Sequence, residues 1–358
     1  MIIAVILLAV GLLAFLEKNW ARWSLKALRF HGSTDKLLAE PGEVVTWSAV
    51  VENHSRMPIL FARLWQNFPG LVRFHEEKVW LEGHVRDSFQ QWHVEEKMSL
   101  LPLQRCTRTV DISIGQRGAY QVGGWRLAAG DLLGLSECGQ DGPAQELVIM
   151  PERAKDVRTL DALGGFLGDV SVRRFILEDP VLTVGFRDYT GREPMKAISW
   201  TRTAMTGTLQ VRQYDHTAEQ VVAVLLNVEG ASPAALEECF RLTRSACEAL
   251  ERKKIPYVFR TNGNLPGPVG KVFYLGEGLG GTHLSTILYG LGKADGTCFH
   301  SFRYLARQTL ERRRGNEAYI VITPELDMAG KAALELLETA SGGSVCLLTG
   351  REQEVKHG

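Results

Sequence analysis

The sequence predicts an α+β protein of two domains: an N-terminal membrane helix, an antiparallel β-sandwich, then an α/β domain with a mostly parallel, doubly wound sheet. Three observations predict it. The first sixteen residues, MIIAVILLAVGLLAFL, carry no charge. Short runs of period-two alternation, separated by turn signals, fill residues 28–150. From 216 to 358, apolar strand-length runs alternate with helical patterns.

The apolar run and its flank, residues 1–24, are expected to anchor the chain in a bilayer. A membrane helix needs about 20 apolar residues. The run is short, but Trp20 and Trp23 suit the interface and Lys18 can snorkel. The basic residues Lys18, Arg22, Lys26 and Arg29 all follow the run. By the positive-inside rule the chain beyond them faces the cytoplasm. A cleaved signal peptide is the rival, although no basic leader or small-residue cleavage site is visible. A buried core helix is a third reading, weakened by the lack of a polar face.

In the sandwich region, Val45, Trp47, Ala49 and Val51 alternate with Thr46, Ser48, Val50 and Glu52. Val110, Ile112 and Ile114 alternate with Asp111 and Ser113. Such strands bury one face. Turn signals recur at Pro41-Gly42, Pro69-Gly70, Gly115 to Gly118 and Gly123-Gly124. Residues 151–215 have little periodicity and read as an interdomain segment. Beyond them, Val221 to Leu226 is a continuous apolar run, as expected of a strand covered on both faces. Ser232-Pro233 signals a helix start. Leu236, Phe240, Thr243, Cys247 and Leu250 follow at helical spacing. Further strands are expected at Ile255–Phe259, Val272–Leu275, Ala318–Thr323 and Ser344–Leu348. Helices are expected at Leu284–Leu291, Phe302–Arg313 and Lys331–Thr339.

The net charge of +0 argues against a nucleic-acid protein, which would carry a strong basic excess. The six cysteines form no C-x-x-C pair, so zinc-knuckle and thioredoxin-like sites have no support. They read as reduced and mostly buried.

The segment Phe186 to Tyr214, FRDYTGREPMKAISWTRTAMTGTLQVRQY, resembles the signature of the bacterial domain-of-unknown-function family 58. That signature runs R-x-Y-x-x-G-D, then I-x-W, then A-R-x-G-x-L-x-V. Arg187, Tyr189, Gly191, Ile198, Trp200, Ala204, Gly207, Leu209 and Val211 match it. Arg192 replaces the Asp after the glycine, and Met205 the Arg after the alanine. Arg117-Gly118-Ala119-Tyr120 and Gly130 to Leu135 resemble two upstream elements of the family. The resemblance implies a von Willebrand A-like C-terminal domain. It also implies a non-enzymatic adaptor anchored in the bacterial inner (plasma) membrane and working with a MoxR-type AAA+ ATPase in assembly or maturation of protein complexes. Family members commonly show two adjacent membrane helices, of which one apolar run is visible in this chain.

An adhesion-type metal site in such a domain needs D-x-S-x-S after the first strand, then a Thr and a later Asp. Their oxygens suit Mg²⁺. The corresponding positions are Asn227, Glu229, Ala231, Thr282 and Glu325, of which Thr282 alone keeps the expected type. The site reads as degenerate, so no metal or other cofactor is expected. A metal-dependent adhesion-type module is the alternative function, and an uncharacterised enzyme a further one. Gly276, Gly278 and Gly281 fit G-x-G-x-x-G, but a tight strand-to-helix turn explains them better than a dinucleotide site. The histidines are scattered, with no H-E-x-x-H and no G-x-S-x-G nearby.

Two basic groups remain. Arg187, Arg192, Lys196, Arg202 and Arg212 lie among Tyr189 and Trp200 and read as a strut or a partner surface. Arg303, Arg307 and Arg312 to Arg314 read as a solvated helix end or a contact for anionic headgroups. The oligomeric state is open.

Overall fold

The computed structural model describes residues 19–75, 91–131, 137–176, 178–191, 195, 198–216, 221–266, 272–313 and 317–350, with backbone alone for 173–176, 178–184 and 212–216. Leu132 to Leu135, Arg192, Lys196 and Arg314 lie outside them. The chain divides into two units. Unit 1 is Met1–Glu152 with Leu291–Lys293; unit 2 is Arg153–Gly290 with Ala294–Gly358.

Unit 1 contains strands β1 (Leu28–Thr34), β2 (Leu38–Ala39), β3 (Val45–Asn53), β4 (Ile59–Pro69), β5 (Val72–Phe74), β6 (Gln91–Leu100), β7 (Arg105–Ile114), β8 (Gly118–Val122), β9 (Gly124–Gly130), β10 (Glu137–Gly142) and β11 (Gln145–Ile149). They form two four-stranded antiparallel sheets, β1-β3-β7-β5 and β10-β9-β4-β6. The alternating residues Val45, Trp47, Ala49 and Val51 point into one core with Leu64, Phe68, Ile112 and Leu127. The indole N–H of Trp47 donates to Gln66 Oε1 at 2.7 Å, satisfying both polar groups inside that core.

A single antiparallel sandwich is not the whole of this region. β2, β11 and β8 make a third sheet, in which β2 and β11 run parallel. The two-residue β2 is too short to show a period, which is why the sequence did not announce it.

The membrane helix expected over 1–24, and the inner-membrane placement that depended on it, are also corrected. Among the described residues no helix is long and apolar enough to cross a membrane. Residues 1–18 lie outside the described residues. The helical stretch 19–27 is part of the protein core instead: Ala21 and Ser24 are buried, and Leu25 and Ala27 pack on the sheet residues. Trp20 is half-buried there.

Unit 2 opens with helix α1 (Val157–Ile176). Strands β12 (Glu178–Asp188) and β13 (Gln210–His216) form an antiparallel ribbon around the short helix α2 (Trp200–Thr206). Then follow β14 (Val221–Leu226), α3 (Pro233–Lys253), β15 (Tyr257–Thr261), β16 (Phe273–Gly278), α4 (Gly281–Lys293), α5 (Phe302–Glu311), β17 (Glu317–Thr323), α6 (Met328–Ser341) and β18 (Val345–Thr349). Ser232 Oγ caps α3 by accepting from Ala235 N, with Pro233 in the first turn. Its buried stripe includes Phe240, Thr243, Cys247 and Leu250.

The doubly wound parallel sheet of a von Willebrand A-like domain is corrected to a mixed sheet of five strands, ordered β16-β15-β14-β17-β18. β16 runs antiparallel to β15. The physical reason is connection length. A parallel return needs a crossover of a dozen or more residues, usually a helix. The link from Thr261 to Phe273 has eleven residues, at the lower limit for a crossover, and its Gly263, Pro266, Gly267, Pro268 and Gly270 oppose a helix, so the strand comes back reversed.

All six cysteines are free. Burial pushes the Cys239 thiol up to about 12, so it behaves as a small hydrophobe.

Candidate functional site

The signature residues are brought together in one hairpin of unit 2. Arg187 pairs with Val211 across β12 and β13, and Asp188 with Gln210. Tyr189 N donates to Leu209 O at 2.8 Å, and Ser199 N to Gln210 O at 2.8 Å. Ile198 bridges Val211, and both side chains are buried. These bonds hold the two ends of the 189–209 excursion together. Inside it, α2 ends on Gly207, which adopts φ 75° and donates its N–H to Thr203 O at 2.9 Å. Only glycine takes that left-handed position without strain, so the signature glycine is a helix stop. Thr203 Oγ1 then accepts from Gln210 N at 3.0 Å, locking the helix to the returning strand.

What this framework presents is apolar. α2 has no buried residue. Trp200 is 61% exposed, Met205 75% and Met195 69%. Phe186, Ala204 and Leu209 are also exposed, as is Gly191. The Arg202 guanidinium lies 4.9 Å from the Phe186 ring centroid, an arginine–aromatic contact. Met205 adds a further apolar side chain to this surface.

A second cluster occupies the ends of β14, β15 and β17. Asn227 is its hub. Its Nδ2 donates to Thr323 Oγ1 at 2.9 Å, and its Oδ1 accepts from Asn262 Nδ2 at 2.7 Å and from Glu229 N at 3.0 Å. Asn262 also accepts from Val228 N at 3.0 Å and donates to His300 O at 2.9 Å. Glu229 Oε2 accepts from Phe302 N at 2.7 Å, satisfying a free amide at the start of α5. Asn227 and Glu229 are thus engaged as hydrogen-bonding groups that tie three loops together.

Thr282 is not with them. The antiparallel β16 carries the chain back toward the start of β15, where Gly278 pairs with Tyr257. Asn227 follows Leu226, which pairs with Thr261 at the other end of β15. Thr282 therefore sits at the opposite end of the sheet's strands. Glu325 is exposed in the loop after β17. Among the described residues no group of three or more His, Cys, Asp or Glu could hold a metal ion. Sequence reading missed Asn262, although its place immediately after a strand, in Thr261-Asn262-Gly263, is a turn signal.

The glycine-rich turn before α4 already holds an anion, contributed by the chain itself. Both carboxylate oxygens of Glu251 accept from Gly280 N, at 3.0 and 2.9 Å. Glu251 also accepts from Tyr257 Oη at 3.1 Å. The position where a pyrophosphate would lie on a helix N-terminus is filled by this carboxylate. Glu251→Gln is expected to cost about 1 kcal/mol by weakening charge-assisted bonds, read as a shifted urea midpoint at constant slope. No change would mean that the turn stands without that carboxylate.

No family model and no curated protein matches the chain. Solved structures that resemble it include the cupredoxin domain of amoB from Nitrosocaldus yellowstonii, at 8% identity and TM-score 0.22, covering 35% of this chain and 87% of that one. Another is the CARDB domain of the PF1109 protein from Pyrococcus furiosus, at 10% identity and TM-score 0.21, covering 34% and 90%. A third is Spo0M, a sporulation control protein from Bacillus subtilis, at 11% identity and TM-score 0.21, covering 46% of this chain and 58% of that one. Likenesses at these scores carry no functional argument.

Proposed function

We propose that this chain is a non-enzymatic adaptor that binds a protein partner through the exposed apolar surface of the 186–211 hairpin. The observation that carries the reading is that α2 has no buried residue while exposing Trp200 and Met205. A seven-residue helix without tertiary burial is marginal in water. An exposed tryptophan beside exposed methionines is the kind of surface that anchors an interface. The resemblance to domain-of-unknown-function family 58 supplies the partner class, a MoxR-type AAA+ ATPase, and the role, assembly or maturation of protein complexes. The adaptor reading is preferred to a metal-dependent one because Asn227 and Glu229 are engaged in hydrogen bonds within the loop cluster.

The test is the affinity of the intact chain for a MoxR-type ATPase from the same organism, measured by biolayer interferometry. Trp200→Ser combined with Met205→Ser is expected to weaken binding by about thirtyfold or more, the range of an interface anchor. Its thermal unfolding should match the wild type, because both side chains are exposed. Binding unchanged in the double variant, or absent in the wild type, would remove the basis of the reading.

A further inference from the structure

His283 is the third residue of α4, and its ring packs on two residues that face each other, Tyr257 of β15 and Gly278 of β16. It meets the Tyr257 ring edge to face, with centroids 4.7 Å apart. Gly278 has no room for a side chain, since a Cβ would lie 2.4 Å from His283 Nδ1. The ring hydrogen-bonds the Tyr257 backbone. Its Nε2, however, is buried with no hydrogen-bond partner among the described residues. The neighbouring carboxylate, Glu251 on α3, is already engaged: both of its oxygens accept from Gly280 N, and Oε1 also accepts from Tyr257 Oη.

This packing suits the neutral ring and not the charged one. A neutral imidazole keeps its one proton on the hydrogen-bonded nitrogen, and Nε2 is then an unused acceptor. Protonation adds a hydrogen to Nε2 where no acceptor stands, and a buried charged donor left unpaired is costly. It also puts a cation in the first turn of a helix, where the macrodipole opposes it. Burial accordingly holds the imidazole below its usual range, outweighing the opposite pull of Glu251 and of the Tyr257 backbone bond. The other ionisable groups of this cluster are Cys247 on α3 and Tyr257, which burial pushes up, so neither becomes charged in acid. β16 meets the ring with the backbone of Gly278, and its Glu277 is exposed.

We propose that His283 is an acid-sensitive latch on the glycine turn 278–281 and the first turn of α4. Neutral, the ring closes the turn against β15. Protonated, it leaves its place over Tyr257 or draws Glu251 off Gly280 N, and either route frees the turn. The contribution of the neutral ring is complete above its unfolded value of about 6.5 and is lost as the pH falls through the lower folded value. The inference is independent of the hairpin and its partner.

Hydrogen–deuterium exchange of the full chain at about pH 7.5 and about pH 5, corrected for intrinsic amide rates, tests the latch. On acidification the amides of Gly280 to Leu284 are expected to lose protection about tenfold or more, while those of β14 and β17 keep theirs. His283→Phe fills the same place with a ring that does not titrate, and His283→Asn keeps a polar atom near the Nδ1 position. Each should abolish the acid response of the turn. His300→Gln alters a histidine outside the cluster, one that stacks on Tyr304, and should leave the response intact. The proposal is overturned if the wild-type turn responds to acid no more than β14 and β17 do, or if a folded His283→Phe or His283→Asn chain keeps the response.

Discussion

Asn227→Ala is expected to destabilise unit 2 by about 3 kcal/mol, because it removes the hub of a buried network and leaves its partners unsatisfied. Asn227 is 1% exposed. Its loss strands Thr323 Oγ1 and Glu229 N, and takes one of the two acceptors of Asn262 Nδ2. An unsatisfied buried group costs about 1–3 kcal/mol, and groups in one network do not add simply. Urea unfolding should show a lower midpoint with the same slope. Glu325→Ala and Thr282→Ala supply the contrast. Both side chains are exposed, and each should lie within about 0.5 kcal/mol of wild type. An Asn227→Ala effect no larger than theirs would mean that the loops hold together by other means.

The second large effect is in unit 1. Gly123→Ala is expected to cost about 3 kcal/mol, from two sources at one position. Its φ is 68°, which a side chain tolerates at about 1 kcal/mol or more. A Cβ there would also lie 2.1 Å from Trp47 Cζ2, and overpacking a core costs about 1–3 kcal/mol. The indole cannot swing aside freely. It is held by its bond to Gln66, and a Cβ at Gly32 would lie 2.5 Å from the same ring. Gly42→Ala separates the sources, since Gly42 has φ 77° but nothing within 4 Å of a Cβ. It should cost about 1 kcal/mol, the backbone share alone. Equal losses at the two glycines would show that the Trp47 ring gives way.

The secondary elements were legible where periodicity was long. Val45 to Val51 alternates because one face of β3 meets the core, and α3 shows its buried stripe and its Ser232 cap in the sequence itself. Topology was less legible. Nothing in Phe273–Gly278 says which way it runs; the short, glycine- and proline-rich link before it does. That misreading moved Thr282 to the wrong end of the sheet. The membrane helix was inferred from apolarity, yet Ala21 and Ser24, in the described part of that region, are buried in the protein. The signature residues were named from sequence, but their division of labour needed coordinates. Ile198 is a buried pin and Gly207 a helix stop, while Trp200 and Leu209 face outward.

The most direct test of the adaptor account is hydrogen–deuterium exchange of the intact chain, alone and with a MoxR-type ATPase. Alone, the amides of α2 should exchange quickly while those of β14 and β17 remain protected, since a helix without buried residues opens easily. With the ATPase, protection should appear over Trp200 to Leu209. Slow exchange of α2 in the free chain, or protection by the ATPase that falls elsewhere and leaves the hairpin unchanged, would contradict it.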